Sequence, residues 1–416
     1  MAFQAPRGTS DIMPNDQPLW RMLEAKAADI AALFGYSRID TPAFEGSELF
    51  ARSIGISTDI LEKETYTFQD RGGDSLTLRP EGTAPVCRAY LEHGLHNNPQ
   101  PTKLYYICPN FRYERPQSGR FRAFHQFGVE IFGESSPFAD AEVIELAWAF
   151  LKKVGLDSLS LTINSIGDQN CRPKYVSELE RYYRKTEYGL CNDCDRRLQH
   201  NPLRLLDCKA ESCQQMVLNA PKSIEYLCGE CEDHWSTMLR YLSKIGLSYQ
   251  VDNRLVRGLD YYTRTVFEIA PPLEGRMNVI AGGGRYDGLI EQMGGPETAG
   301  IGFGMGLERV IENLARQSVL LPIDSERKVL VAHIGSHALM EAAKLASDIR
   351  SNGTYAVLGP SRGLRSQLKY ASSLGAEYAI IIGDNEIASG EYLLRCLTDS
   401  TQSEKSRDDI LAFFSK

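Results

Sequence analysis

Leu19, Leu23, Ala27, Ile30 and the Leu33/Phe34 pair recur at helical spacing. Asn15, Asp16 and Pro18 precede the run and Gly35 stops it, which predicts an amphipathic N-terminal helix. A short strand over 36–41 ends at Pro42, followed by a helical stretch at 47–53 and a hairpin around 70–74. Segments 103–107 and 124–132 read as strands joined by an arginine-rich loop, and 139–153 reads as a helix. Strands surrounded by helices, rather than strictly alternating with them, predict an α+β core built on an antiparallel sheet. From 164 to 251 the texture turns helical, which marks 165–250 as an insertion. Strand and glycine patterns return at 255–270, 278–289 and 300–306, and a helix starts at Leu307. Residues 316–326 read as a linker. Beyond it, strands at 329–334, 355–358, 378–382 and 392–397 mix with helices at 338–351, 362–373 and 408–414. The expected division is therefore a core over 1–322, interrupted at 165–250, and a smaller α/β domain over 327–416.

Composition narrows the class. At 416 residues, 43% apolar and 24% charged, the chain can build several cores without disulfide staples. Its apolar runs, such as 379–382, fall far short of the roughly 20 residues a membrane span needs. The N-terminus has neither a basic segment nor an apolar one of the secretory kind, so a cytoplasmic protein is expected. The net charge of −8 is unevenly placed, since 327–416 carries 11 Lys/Arg against 10 Asp/Glu. A nucleic-acid site needs only a local basic patch, and Arg112, Arg115, Arg120 and Arg122 supply one against the single Glu114. A plain solvated face would explain that run equally well.

Four segments carry chemistry. In the strand FHQFGVEIF (124–132), period two sends Gln126, Gly128 and Glu130 to one face and Phe127, Val129 and Ile131 to the other. An amide and a carboxylate flanking a glycine make a polar floor with room for a small ligand, and Arg112 and Glu114 share a face upstream. LRPEGT (78–83) sets Glu81 and Thr83 around a turn glycine, able to present a carboxylate to an ammonium group. RLVRGLDYYTR (254–264) combines Arg257, suited to a phosphate, with paired tyrosines. If that segment is extended, Tyr261 and Tyr262 face opposite ways and only one readily lines a pocket. GIGFGMGLER (300–309) runs from a glycine-rich strand into a helix. It spells neither GxGxxG nor a P-loop, so nucleotide binding must use another scaffold. Its alternating glycines leave a strand face bare enough for a flat ring. Arg309 falls in the first helical turn, where free N–H groups favour a phosphate.

Cysteines cluster in the insertion as C-x2-C (191, 194), C-x4-C (208, 213) and C-x2-C (228, 231). In a reducing compartment such knuckles favour tetrahedral zinc over disulfide. Cys191, Cys194, Cys228 and Cys231 form the simplest four-thiolate set, with Cys208 and Cys213 as substitutes. A helical insertion can also hold free buried cysteines without metal.

Together these segments resemble the histidyl-tRNA synthetases of bacteria, class II aminoacyl-tRNA synthetases, along essentially the whole chain. PRGTSDIMP (6–14) is similar to the family's opening, and the helix and strand ending at Pro42 to motif 1, the dimer interface of this class. FRYER (111–115) through Phe132 resembles motif 2, and 302–310 resembles motif 3. RGLDYY (257–262) and GGRYD (283–287) match segments specific to the histidine enzymes. The resemblance implies a six-stranded antiparallel catalytic sheet, a helical insertion that clasps the tRNA acceptor arm, and a C-terminal anticodon-binding domain.

It also implies roles. Glu81 and Thr83 would hold the amino group of L-histidine and Gln126 the region of its carboxylate. Glu130 and Tyr262, with Tyr286 nearby, would bond the imidazole, and Tyr261 belongs to the same pocket. Arg112, Glu114, Arg257 and Arg309 would bind ATP, with Arg112 and Arg257 on opposite sides of the α-phosphate and Arg309 at the γ-phosphate. Magnesium would accompany the triphosphate. Arg115 and Gln117 would touch the acceptor end of histidine tRNA, and a homodimer is expected. The insertion cysteines vary within the family, so the resemblance does not assign them.

Two rivals share parts of this pattern. A non-catalytic paralogue that regulates histidine biosynthesis would usually lack both the C-terminal domain and the 257–262 pattern. A class II enzyme for another amino acid would not carry an imidazole-binding Glu/Tyr pair.

Overall fold

In the computed structural model, residues 3–54, 64–117, 119–185, 189–271, 279–319 and 328–415 are described. Most of the expected linker, residues 320–326, and the first residue of the expected 278–289 strand lie outside them. The chain divides into two compact units, 1–321 and 322–416.

The first unit is built on one sheet. Its strands run in the order Ser37–Arg38, Thr102–Phe111, Ala123–Phe132, Gly300–Gly306, Ala281–Arg285, Thr263–Ala270, Ser160–Ser165 and Gln250–Val251. The six inner strands are all antiparallel. The two edge strands, two residues each, pair in parallel. The strand expected over 36–41 thus shrinks to an edge pair.

Period-two alternation gives the sheet two unlike faces. Phe127, Val129, Ile131, Phe267, Ile269, Ile301, Phe303 and Met305 point to one side, into a core shared with helices Gln17–Leu33, Pro137–Lys153, Gly229–Lys244 and Leu307–Arg316. The other face carries Gln126, Gly128 and Glu130, beneath helix Thr83–Glu92. A small sheet of Phe44–Gly46, Ser75–Leu78 and Tyr66–Gln69 leads into that helix.

Segment 255–262 is not a strand. Three of its backbone carbonyls accept from side chains instead of from a neighbouring strand. Asn164 donates to the Leu255 carbonyl at 3.0 Å, Arg204 to that of Arg257 at 3.0 Å and Arg172 to that of Tyr262 at 2.8 Å. Pairing resumes only at Thr263.

The insertion packs helices Arg172–Lys185, Asn192–His200 and Glu211–Leu218 around Tyr175, Leu179, Tyr183, Leu198 and Met216. Its last helix, Gly229–Lys244, instead sends Trp235, Met238 and Leu242 into the core of the eight-stranded sheet.

Arg285 is wholly buried, and its guanidinium pairs with Asp140 and, at 3.1 Å, Asp287. Asp140 also accepts from His234 at 2.8 Å. Burial alone would raise the Asp140 pKa, but the Arg285 charge and the His234 bond pull it down to about 2. Its stabilising contribution is therefore present above the ordinary value of 3.8 and is lost as pH falls through about 2. Asp140→Asn should cost about 3–5 kcal/mol at neutral pH, because Arg285 is left buried without its full counter-charge. Denaturant melts of both proteins should show that gap narrowing between pH 4 and pH 2.

The second unit has a five-stranded sheet in the order Tyr355–Leu358, Lys328–His333, Tyr378–Ile382, Glu391–Cys396 and Gln402–Ser406. The first three strands are parallel and the last two antiparallel. Helices Gly335–Ser351 and Arg407–Phe413 contribute to one core, and Leu364–Ser373 to a second. The polar edge strand Gln402–Ser406 and the short helix Asp384–Ser389 carry no apolar period and were not expected from sequence.

Candidate active site

Glu81 precedes helix Thr83–Glu92, and its carboxylate accepts from the backbone N–H of Thr83 at 2.7 Å and of Ala84 at 2.9 Å. It thereby caps two free donors of the first turn. Burial pushes its pKa up, while those N–H bonds and nearby Arg112 oppose the rise. Gly82 is required there, because a Cβ would overlap the Tyr106 ring.

Strand Gly300–Gly306 lies beside Ala123–Phe132 in a register that sets Gly302 opposite Glu130, Gly304 opposite Gly128 and Gly306 opposite Gln126. A Cβ at Gly302 would overlap the Glu130 carboxylate, and one at Gly304 the Gln126 amide. These two glycines make room for the neighbouring strand's polar side chains, and Gly304 and Gly306 also line the open cleft. Asn110 donates to the Gln126 amide oxygen at 2.6 Å, which fixes the amide's orientation.

Glu130 is fully buried and has three hydroxyl donors: Thr83 at 2.7 Å, Tyr106 at 3.2 Å and Tyr286 at 2.5 Å. Among the described residues, no cationic side chain bonds to it. Burial raises its pKa to about 8 against those hydrogen bonds. Glu130 and Tyr286 do not line the open cleft; they stand behind Thr83 and Tyr106, which do.

The cleft above this floor collects Glu81, Thr83, Gln126, Arg112, Glu114, Arg257, Arg309, Tyr261 and Tyr262. Both tyrosines reach it, against the expectation that only one would. The chain turns through this loop instead of extending, leaving their rings 4.8 Å apart. Arg112 donates to the Pro80 carbonyl at 2.7 Å and lies over the Phe124 ring at 5.4 Å. Arg257 pairs with Glu268 and lies against Gly282, where a Cβ would overlap its guanidinium. Arg309 sits in the first turn of helix Leu307–Arg316 and donates to the carbonyls of Gly119 and Val279, at 2.9 and 2.5 Å. Glu114 pairs with Arg120 at 3.1 Å. Arg115 and Gln117 are exposed and lie outside the cleft.

Sequence reasoning missed Tyr106, Glu268 and Lys209, all of which line the cleft. Tyr106 faces Gly128 across the strand pair, a pairing that only the register of the folded sheet reveals. Glu268, the one acid in the strand Thr263–Ala270, was readable as an anomaly.

The cysteines group differently from the simplest set. Cys191 and Cys194 come together with Cys208 and Cys213, while Cys228 and Cys231 join Cys171 and Asp168. The reason lies in packing. Cys228 and Cys231 sit at the start of helix Gly229–Lys244, which is committed to the core of the eight-stranded sheet, whereas the other four belong to the insertion's own core.

A cleft lined by four arginines, the buried Glu81 carboxylate and a row of hydroxyls, with the Glu130 carboxylate behind them, can hold a polyphosphate beside a small ligand rich in N–H groups. Comparison with known proteins gives the same direction. The family model described as histidyl-tRNA synthetase matches residues 8–310, and that of the anticodon binding domain matches 328–416. A histidine–tRNA ligase of Dehalococcoides mccartyi (strain 195) is 51% identical, covering 100% of this chain and 99% of its own. One from Desulforamulus reducens is 47% identical, covering 99% of each. The crystal structure of apo histidyl-tRNA synthetase from S. aureus superposes with a TM-score of 0.84 at 36% identity, covering 100% of both chains.

Proposed function

The chain belongs to the histidyl-tRNA synthetase family, and from that premise we propose how its cleft divides the work. The overall reaction is histidine–tRNA ligation. Histidine and ATP give histidyl-adenylate and pyrophosphate, and the histidyl group then passes to the terminal adenosine of histidine tRNA.

In the first step a histidine carboxylate oxygen attacks the α-phosphorus in line and pyrophosphate leaves. Negative charge builds on the nonbridging oxygens, so cations fixed in advance lower the barrier. Arg112 and Arg257 take that role from opposite sides, each held by a protein partner, and Arg309 takes the outer phosphate. Glu114 belongs to the same ATP site through its hold on Arg120. Magnesium, which the family uses with ATP, prefers oxygen donors. Glu114 and Glu308 line the cleft beside Arg309 and offer carboxylate oxygens to it. When bound, the ion would neutralise charge on the outer phosphates.

Glu81 and Thr83 hold the substrate ammonium, with Gln126 near the carboxylate. The imidazole enters toward Glu130, which accepts its N–H, while Tyr262 bonds the other nitrogen and Tyr261 and Tyr286 wall the pocket. One observation carries this reading: Glu130 is fully buried, and its recorded partners are hydroxyls. A ligand N–H adds a further donor that helps its charged form bear complete burial. In the second step a tRNA hydroxyl attacks the activated carbonyl and AMP leaves, with Arg115 and Gln117 at the acceptor end. No protein nucleophile is needed. Pyrophosphate exchange run with each of the twenty amino acids tests the assignment: strong exchange with histidine alone supports it, and none with histidine refutes it.

The working form is a homodimer in the cytoplasm. Exposed Leu33, within motif 1, and Phe44, just after it in the chain, are apolar surface that a second copy would cover. Among the described residues no helix is long and apolar enough to cross a membrane.

The C-terminal unit is an anticodon-binding domain by family. Helix Leu364–Ser373 exposes Arg365 and Lys369 one turn apart, suited to anticodon phosphates. Replacing both with alanine should raise the tRNA KM and flatten its salt dependence by about 0.7 log unit per lost contact. Pyrophosphate exchange should stay unchanged. An unaltered salt slope removes the helix from the tRNA path.

A further inference from the structure

We propose that Cys191, Cys194, Cys208 and Cys213 bind one zinc ion as four thiolates, and that this ion holds Arg204 and Lys209 against the catalytic cleft. The four sulfurs all lie within 4.8 Å of one another. A tetrahedral ion with Zn–S bonds of about 2.3 Å sets neighbouring sulfurs about 3.8 Å apart. Cys191 and Cys208 have that separation, 3.8 Å. Backbone N–H groups already point at two of the sulfurs, from Cys191 to Cys213 at 3.5 Å and from Ala210 to Cys208 at 3.4 Å. Cys194, Cys208 and Cys213 are buried, so water does not compete for the ion. Binding releases four thiol protons to solvent and leaves a complex of charge −2.

What the ion does follows from the chain between its ligands. Helix Asn192–His200 and the turn Pro202–Leu205 span the distance from Cys194 to Cys208. Along this span, Asn201 donates to Asp260 at 2.6 Å and Arg204 to the Arg257 carbonyl at 3.0 Å. Lys209 lies between two ligands and lines the cleft. The metal is thus one residue from a cleft cation and anchors the span that steadies the loop bearing Arg257. This inference rests on the ATP reading of the cleft only for its consequence, not for the site itself. The second cluster is weaker, because the Asp168 carboxylate already accepts from two backbone N–H groups and pairs with Arg264 at 3.3 Å.

The test uses the full chain without a histidine tag. Elemental analysis should find one zinc equivalent fewer in Cys213→Ser than in the parent chain, while Cys228→Ser keeps that equivalent. Should Cys213→Ser fold poorly, cobalt exchanged into the Cys228→Ser chain should give the intense visible bands of a tetrahedral thiolate site. Lys209→Ala should keep its zinc yet raise the ATP KM about tenfold, the scale of one lost hydrogen bond to a charged group. Equal zinc in the parent and Cys213→Ser, or absence of the cobalt bands, overturns the metal site. Zinc lost with Cys213 but an unchanged ATP KM in Lys209→Ala overturns the coupling to the cleft. Failure of histidine-dependent exchange in the parent chain would instead count against the functional reading.

Discussion

Arg257→Ala should slow adenylate formation by about 100-fold or more, the loss seen when a single donor to a developing oxyanion is removed. The guanidinium is pre-positioned, paired with Glu268 and pressed into space that only a glycine at 282 leaves open. Positioning before reaction is what makes such a group effective, since no reorganisation is needed as charge develops. Histidine binding should weaken much less, because the proposed histidine pocket lies toward Glu81 and Glu130. Arg257→Lys should rescue poorly, because an ammonium cannot serve Glu268 and a phosphate with the planar fork of a guanidinium. Removal of Arg257 also strands the Glu268 carboxylate in the cleft, so the double variant with Glu268→Gln is the control. If stranded Glu268 caused the defect, that second change would restore the rate. Single-turnover adenylation at saturating ATP and histidine decides the matter, and a rate within a few-fold of the parent's removes Arg257 from the chemical step.

How much of this was readable beforehand depended on whether local period or tertiary register set the outcome. Strands Gly300–Gly306, Tyr355–Leu358 and Tyr378–Ile382 were legible to the residue, because alternating glycines mark the first and short apolar runs, each followed by a glycine, mark the other two. Gln402–Ser406 was not, since an exposed edge strand has no buried face to impose a period. Residues 255–262 mimicked a strand through Leu255, Val256 and Leu259, but those side chains are buried or partly buried around a loop. In the site, period two correctly put Gln126 and Glu130 on one face. It could not show that Gly302 and Gly304 face them, because cross-strand register is decided by the whole sheet. Tyr106 was invisible for the same reason. The cysteine grouping failed at another level: spacing identifies knuckles, but which knuckles meet depends on where Gly229–Lys244 packs.

Glu130 is the residue on which histidine selectivity should turn. A neutral imidazole offers one donor and one acceptor, and a buried carboxylate opposite the donor penalises any ligand that lacks it. Glu130→Gln keeps an oxygen that accepts, so the histidine KM in pyrophosphate exchange should rise about tenfold, with the ATP KM nearly unchanged. Glu130→Ala should be worse, about 100-fold, because it also strips the common acceptor from the hydroxyls of Thr83, Tyr106 and Tyr286. A second readout separates recognition from mere architecture. Burial raises the Glu130 pKa from 4.5 to about 8, so the folded chain holds a proton there that the unfolded chain has released. Stability from this group is complete below about 4.5 and is lost as pH rises through about 8. Gln cannot ionise, so the Glu130→Gln variant should gain thermal stability relative to the parent as pH rises from 5 to 8. Added histidine should shrink that gain, since its ring N–H stabilises the carboxylate in the parent alone. If the Tm difference stays flat with pH, Glu130 is not held protonated by its burial. If histidine leaves that difference unchanged and both variants keep normal histidine dependence, the imidazole is read elsewhere in the cleft.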